Sequence, residues 1–373
     1  MPNSFITIQE IARNTLPRLL ENLVFPNLIH KDFSNDFSRN LGDTIQVRKP
    51  VVLEAKEFDQ SQGVTAQDIT ETSVPVKLDK IATVDVEITA IQGAVNINDL
   101  NRQFLEPAAV ALAQKINSDG LELYKDIPYI GGTAGTTPDG LDDLASVREK
   151  LNENKVPVSP RYALWDTAAD AKLVTVPAIV NAEKSGSTTA LREGSLGRVM
   201  GLDNYMSQAV KKHTTGATGT PLVDNSGGYA KGATAIHVDG LTAAFAVGDV
   251  FTLGGNPYVV VTAGELSTAD QDITIYPGLR ASVADNAAIT VTASHTANLG
   301  FHPSAFAFVT RPLVKPSGVE SYVTSYNGVS LRVVKGYNMS PSPAAAPGPS
   351  PLPTRRPATG SAPATRWTTC SMW

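Results

Sequence analysis

The sequence predicts an α+β chain carrying an inserted antiparallel β domain, on three observations. Apolar residues recur at helical spacing in two N-terminal stretches, Asn3–Phe33 and Ile97–Ile127. Between them, Gly42–Ala90 alternates apolar and polar residues with period two. From Thr214 to Thr296 the texture shifts to Gly, Thr, Ala and Val, with short β runs separated by turn signals.

The first stretch, "NSFITIQEIARNTLPRLLENLVFPNLIHKDF", opens with Thr7 three residues before Glu10, a capping-box spacing. Ile8, Ile11, Leu16, Leu19, Leu20 and Leu23 then form one apolar stripe. The polar segment that follows offers it nothing to bury against, so the stripe is expected to need a partner outside its own sequence neighbourhood.

In Gly42–Ala90, Ile45 and Val47, then Val74, Val76 and Leu78, then Val84, Val86 and Ile88 alternate with polar residues. Pro50 and Pro75 suit edge strands. The polar tip "DQSQGVTAQD" completes a long two-stranded arm, which by itself is marginal in water. Its mixed charges, Arg48, Lys49, Glu54, Lys56, Glu57, Asp59, Lys77, Asp79 and Lys80, read either as a solvated face or as pairing with another subunit, where charges fix register.

The second helical stretch has Leu100, Phe104, Leu105, Ala108, Leu112, Ile116, Leu123 and Tyr124 on one face, with Asn98 or Asp99 as N-cap. Pro107 and Gly120 are expected to bend or loosen it. A further helix is predicted over Leu141–Asn154, where Asp142 and Asp143 favour the N-terminal dipole. Short strands and helices alternate from Pro160 to His213.

The β-rich segment contains "ATAIHV", "DVFTLGG", "NPYVVVTA", "DITIYP" and "AAITVTA", with turns expected at Asp239-Gly240 and Gly254-Gly255-Asn256. A small barrel or sandwich is predicted. "FHPSAFAFVTRPL" resumes a buried strand, and "SYNGVSLRVVKGYN" forms a hairpin turning at Asn327-Gly328. The last stretch, Met339–Trp373, holds eight prolines, three arginines, no lysine and no acid. Such a tail is expected to be disordered or extended.

Composition bounds the function. At 373 residues the chain has room for two or three domains. A net charge of −5 argues against a surface devoted to nucleic acid, although a local basic patch stays open. The lone Cys370 excludes an intrachain disulfide and a Cys-based metal site, and a reducing cytosol is the simplest setting. Nothing reads as a secretory leader or an 18-residue apolar run, so a soluble protein without a membrane partner is expected.

The Gly-rich "GGTAGTTPDG" lacks the Gly-Lys-Ser/Thr ending of a phosphate loop, and no Gly-x-Ser-x-Gly elbow occurs. His30, His213, His237, His295 and His302 include no i, i+4 pair. The expectation is no enzyme: no catalytic residue, no cofactor and no metal.

The order of these parts resembles a known family. The stretch "NSFITIQEIARNTLPRLLENLVFPNLIHKDFSNDF" followed by "GDTIQVRKPVVLEA" closely resembles the start of tailed-phage major capsid (coat) proteins of the P-twenty-two type. The likeness runs over about 1–338 and recurs at "RPL" and "SLRVVKGYN". It implies the HK-ninety-seven-type capsid fold: an N-terminal arm at 1–40, an extended β loop at 41–95, and a peripheral domain at 96–155. That peripheral domain carries a spine helix within 98–126 and is completed by 325–338. An axial domain at 156–214 and 298–324 and an inserted β domain at 215–297 make up the rest.

The resemblance further implies self-association into pentons and hexons of an icosahedral shell. A scaffolding protein and portal join during assembly in the host cytoplasm, and the procapsid expands as double-stranded DNA is packaged without sequence-specific binding. The orphan stripe and the arm charges would then contact neighbouring subunits: Ile8, Ile11, Leu16, Leu19, Leu20, Leu23, Arg48, Lys49, Glu54, Lys56, Glu57, Lys77 and Asp79. Alternatives are an encapsulin-like nanocompartment shell and a β-rich adhesin or binding protein. The tail at 339–373 departs from the family, which continues with β structure there. Its abrupt composition reads as a change of reading frame, a sequencing artefact or a true extension.

Overall fold

A computed structural model describes residues 8–31, 44–48, 73–77, 80–85, 106–181, 183, 186, 189–310, 312, 315–326, 329–338, 354–362 and 366–369. In chain order, α1 (Ile8–Asn22) leads through a 3-10 turn (Phe25–Leu28) to β1 (Thr44–Arg48), β2 (Ser73–Lys77) and β3 (Ala82–Asp85). Helix α2 (Glu106–Leu121) passes into a 3-10 turn (Glu122–Asp126), and α3 (Leu141–Glu153) follows. Next come β4 (Tyr162–Trp165), α4 (Thr167–Val174), α5 (Pro177–Val180), α6 (Thr189–Glu193), β5 (Arg198–Val199), β6 (Leu202–Met206) and β7 (Lys212–His213). Strands β8 (Thr218–Val223), β9 (Ala235–Ala243), β10 (Val250–Leu253), β11 (Asn256–Ala263), β12 (Gln271–Tyr276) and β13 (Ile289–Val291) precede β14 (His295–Thr296) and β15 (Leu299–Phe301). The chain closes with β16 (Phe306–Val309), β17 (Glu320–Tyr326), β18 (Val329–Asn338), β19 (Thr354–Ala362) and β20 (Arg366–Thr369). Two compact units result: Met1–Ile116 with Ser304–Met372, and Asn117–Pro303. This division cuts across the sequence-derived stretch 298–324, whose β15 and β16 fall in different units.

In the first unit α1 packs on β17 and β18. Leu16, Leu19 and Leu23 are buried there, and Phe25 meets Phe306 edge-on at 5.2 Å between ring centres. These three leucines are buried within their own chain, where α1 meets a hairpin of residues far away in sequence, whereas the sequence reading looked for their partner on a neighbouring subunit. Leu20 is half-buried, and Ile8 and Ile11 lie on the same helix. Pro17 interrupts α1, and a proline within a helix costs roughly 3 kcal/mol. Three buried leucines at about 2 kcal/mol each outweigh it. Asn27 ends the helix by donating from Nδ2 to the Leu23 carbonyl at 2.5 Å, satisfying an orphan acceptor. Arg18 pairs with Glu106.

Strands β1 and β2 pair antiparallel, Thr44 opposite Lys77 and Arg48 opposite Ser73. Pro75 sits in this two-stranded ladder, where an edge is always at hand. Strand β3, expected to belong with the arm, instead pairs with β19 in a sheet of order β17-β18-β19-β3. The tail is extended in its described residues and makes ladders: β19 lies on β18, and β20 on β16. Of the two states expected for the tail, disordered or extended, these residues take the extended one: a strand beside a neighbour draws its order from the neighbour's backbone groups, and proline forbids only one donor per position.

In the second unit the sheet β15-β4-β6-β5 has β4 and β6 parallel. Its core gathers Leu144, Ala163, Trp165, Ala169, Leu173 and Leu202, with α3 laid on β15. Trp165 reaches Asn204 Oδ1 from its indole nitrogen at 2.9 Å, and Asp166 caps α4 by accepting the Ala169 amide at 3.1 Å. Asp143 Oδ2 accepts the amides of Asp139 and Gly140 at the start of α3, so its carboxylate caps the helix as well as suiting the dipole.

Strands β8–β13 form an antiparallel sheet of order β13-β10-β11-β12-β9-β8. A bridge between Leu222 and Ala288 joins its two edges and closes it as a barrel. Val238, Phe251, Tyr258, Val260, Ile273 and Ile275 fill the interior. Gly254 and Gly255 both have positive φ, 59° and 77°, and make the two-residue turn joining β10 to β11, as a right-twisted hairpin requires. Asp239-Gly240, expected as a turn, instead runs inside β9. A Cβ on Gly240 would lie 2.5 Å from the Thr220 carbonyl, so the glycine serves close strand approach beside a bulge.

Gly300 on β15 has a similar role against α3: a Cβ there would sit 2.3 Å from Val147 Cγ1. Gly300→Ala should cost about 1–3 kcal/mol in urea unfolding. Adding Val147→Ala should recover part of the loss; an unchanged Gly300→Ala midpoint would contradict the packing.

Candidate functional site

Three side chains from distant parts of the sequence meet in the second unit. Tyr124 in the 3-10 turn after α2 lies 2.9 Å from His213 Nδ1, and His213 Nε2 lies 2.8 Å from Asp249 Oδ1. Asp249 also accepts the amides of Ala246 at 2.8 Å, Gly216 at 3.1 Å and Ala217 at 3.2 Å. An ionised carboxylate only accepts, so His213 donates to Asp249 from Nε2, while its Nδ1 shares a hydrogen bond with the Tyr124 hydroxyl. The β7–β14 ladder sets His213 opposite His295, whose ring is 5.4 Å away.

The constellation has the parts of a catalytic relay but not the access. His213 is 4% exposed and Asp249 0%, so no substrate reaches the imidazole. Four donors already fill the carboxylate. Its chemistry is structural. Burial works to raise the Asp249 carboxyl, but the bonds from His213, Ala246, Ala217 and Gly216 outweigh it and hold it below the ordinary 3.8. Burial, with the charges of Glu122 and Asp249, pushes the Tyr124 hydroxyl up, so it remains a donor at neutral pH.

A second cluster is part-exposed on the barrel. His237 Nδ1 lies 2.7 Å from Asp272 and Nε2 lies 3.6 Å from Asp224. The Asp272 hydrogen bond raises His237 above the ordinary 6.5 against the opposing effect of burial, helped by the charges of Asp272, Asp224 and Asp270. A cleft of about 410 Å³ is lined by Tyr129, Lys150, Glu153, Val250 and Arg280. Its cations are engaged: Lys150 binds Glu153 at 2.8 Å and Arg280 bonds to Tyr129. Among the described residues no group of three or more His, Cys, Asp or Glu side chains could hold a metal ion, and no helix is long and apolar enough to cross a membrane.

Of the residues singled out as subunit contacts, Leu16, Leu19 and Leu23 are internal, and Arg48 and Lys77 lie on the β1–β2 ladder. Lys49, Glu54, Lys56, Glu57 and Asp79 lie outside the described residues, as do Asp59 and the hairpin turn at Asn327-Gly328. The sequence reading missed the Tyr124–His213–Asp249 network. Its only sequence trace is an acid opening the strand "DVFTL", which gives no clue to a histidine on another strand.

No family model matches the chain, and no curated protein matches it. Solved structures do. A structure of Mycobacterium phage Che8 superposes with a TM-score of 0.50 at 14% identity, covering 94% of this chain and 88% of that one. The capsid structure of the cyanophage P-SCSP1u gives 0.46 at 16% identity, covering 92% and 84%. The mature capsid of bacteriophage PhiM1 gives 0.35 at 8%, covering 69% and 80%. Of these three the Che8 structure reaches 0.5, and at 14% identity it establishes a shared fold. The chain is thus a mixed helix-and-sheet protein with the fold of a phage structure, and its structural neighbours include phage capsids.

The two titrating clusters give opposite pH dependences. Asp249 is lowered by folding, so its contribution is complete above about pH 3.8 and disappears as pH falls through its lower folded value. His237 is raised, so its contribution is complete below 6.5 and disappears as pH rises through its higher folded value. His237→Gln should abolish the stability slope just above pH 6.5, and Asp249→Asn the one below pH 4. Slopes retained in both variants would contradict these assignments.

Proposed function

We propose that this chain is a major capsid protein of a tailed phage, built on the HK-ninety-seven-type fold and closest in kind to the P-twenty-two type. The observation that carries the reading is the fold shared with the Che8 phage structure over 94% of this chain. The ordered sequence resemblance of residues 3–37 and 42–55 supports it independently. On this reading the protein is structural and performs no catalysis. Copies of the chain form pentons and hexons of the virion shell, around a scaffolding protein and a portal, in the host cytoplasm. The procapsid expands as double-stranded DNA enters.

The paired strands β1 and β2 root the extended loop. Its charges at Arg48, Lys49, Glu54, Lys56, Glu57, Lys77 and Asp79 set register on a neighbouring subunit. Ile8, Ile11 and Leu20 supply the remaining contact face of α1. Residues 215–297, the barrel, stabilise contacts within or between capsomers.

Negative-stain microscopy with sedimentation tests the reading on the chain expressed alone and beside its neighbouring phage genes. Shells, tubes or polyheads tens of nanometres across are the expected result. A monomer or dimer under both conditions would overturn it.

A further inference from the structure

The barrel is joined to the rest of its unit by a narrow neck. Chain entry and exit pair as β7 and β14, two residues each, and Ala297 extends the ladder by donating its amide to the Lys211 carbonyl at 2.9 Å. Thr215 fastens the neck to the barrel's last strand: its hydroxyl donates to the Thr292 carbonyl at 2.8 Å, and its amide donates to Ser294 Oγ at 3.0 Å. Beyond the neck, the barrel has its own closed ladder and filled core.

The Asp249 carboxylate sits where three segments converge. It takes the neck through His213, the strand entering the barrel through the amides of Gly216 and Ala217, and the turn before β10 through Ala246. His213 carries the connection on to Tyr124, outside the barrel. The turn is also fitted closely to that outer segment: Gly248 has φ of 96°, and a Cβ there would lie 2.6 Å from Lys125 Cγ.

We propose that Tyr124, His213 and Asp249 form a lock that fixes the neck of the barrel against residues 122–126, and that opening it loosens the neck while the barrel itself stays folded. The charged and titratable groups around the lock are Glu122 and Lys125 on the 3-10 turn, Lys211 and Lys212 before His213, and His295 across the ladder. None replaces the lock. Lys125 lies toward Glu122 at 3.9 Å, and His295 Nδ1 lies 2.9 Å from the Ala293 carbonyl. Arg280, bonded to Tyr129, is a separate tether, so an opened lock leaves the barrel attached. The inference holds whether or not the chain forms a shell.

Hydrogen exchange of the full-length chain at pH 7 tests it, using Tyr124→Phe and Asp249→Asn. Tyr124→Phe removes one hydrogen bond of the lock and leaves the His213–Asp249 pair, so exchange over 211–217, 246–249 and 292–297 should rise about threefold to tenfold. Asp249→Asn should raise it further. In both, residues 236–242, 250–253, 256–263 and 271–276 should stay within about twofold of the unmodified chain, since the barrel core is untouched. Parallel acceleration of those strands would overturn the proposal, because the network would then belong to the barrel's folding. Neck exchange unchanged in Tyr124→Phe, or an Asp249→Asn chain that does not fold, would overturn it as well.

Discussion

The first unit depends on one long-range contact: the leucine stripe of α1 against the hairpin of β17 and β18. A 15-residue helix interrupted by Pro17 is too short and too compromised to persist alone in water. The hairpin that shelters it begins at Glu320, so almost the whole chain lies between the partners. Everything from β1 to β16 is an excursion from this closure. Phe25, Phe306 and Phe308 continue the same core, and the His30 carbonyl accepts the Phe308 amide at 2.9 Å to fix the exit from the helix.

The second unit solves a different problem. Its barrel builds a complete core from strands of three to nine residues, helped by positive-φ glycines at the β10–β11 turn. At its neck the Asp249 carboxylate collects four donors from three segments. Burying an ion is costly when it is left unpaired, and tolerable when every lone pair is used. The Gln271 side chain works alike inside the barrel, accepting the Phe245 amide at 2.7 Å and donating to the Gly264 carbonyl at 2.8 Å.

Much of this was legible in the residues. Leu141–Asn154 was readable as a helix from its spacing and its opening acids, and the β runs of the barrel from alternation and turn glycines. The stripe Leu16, Leu19, Leu23 was also legible, but its partner was not, because periodicity shows that a face is buried and never against what. For the same reason β3 was assigned to the arm and not to β19. The tail composition argued only that it could not build a core, which is compatible with a strand laid between others. Gly240 looked like a turn because Asp-Gly usually is one, whereas here the missing Cβ admits a neighbouring strand. The His213–Asp249 pairing needs two strands and a turn to be in place first, so no local pattern announces it.

The intrachain burial of α1 is tested most directly by thiol accessibility in the unassembled chain. Replacing Cys370 by Ser and Leu19 by Cys leaves a single thiol at the centre of the stripe. In a dilute sample shown by sedimentation to be unassembled, that thiol should resist a water-soluble maleimide until the chain is denatured. Labelling at the rate of a free thiol before assembly, with protection only in assembled particles, would mean that a neighbouring subunit covers the helix, and would contradict the account.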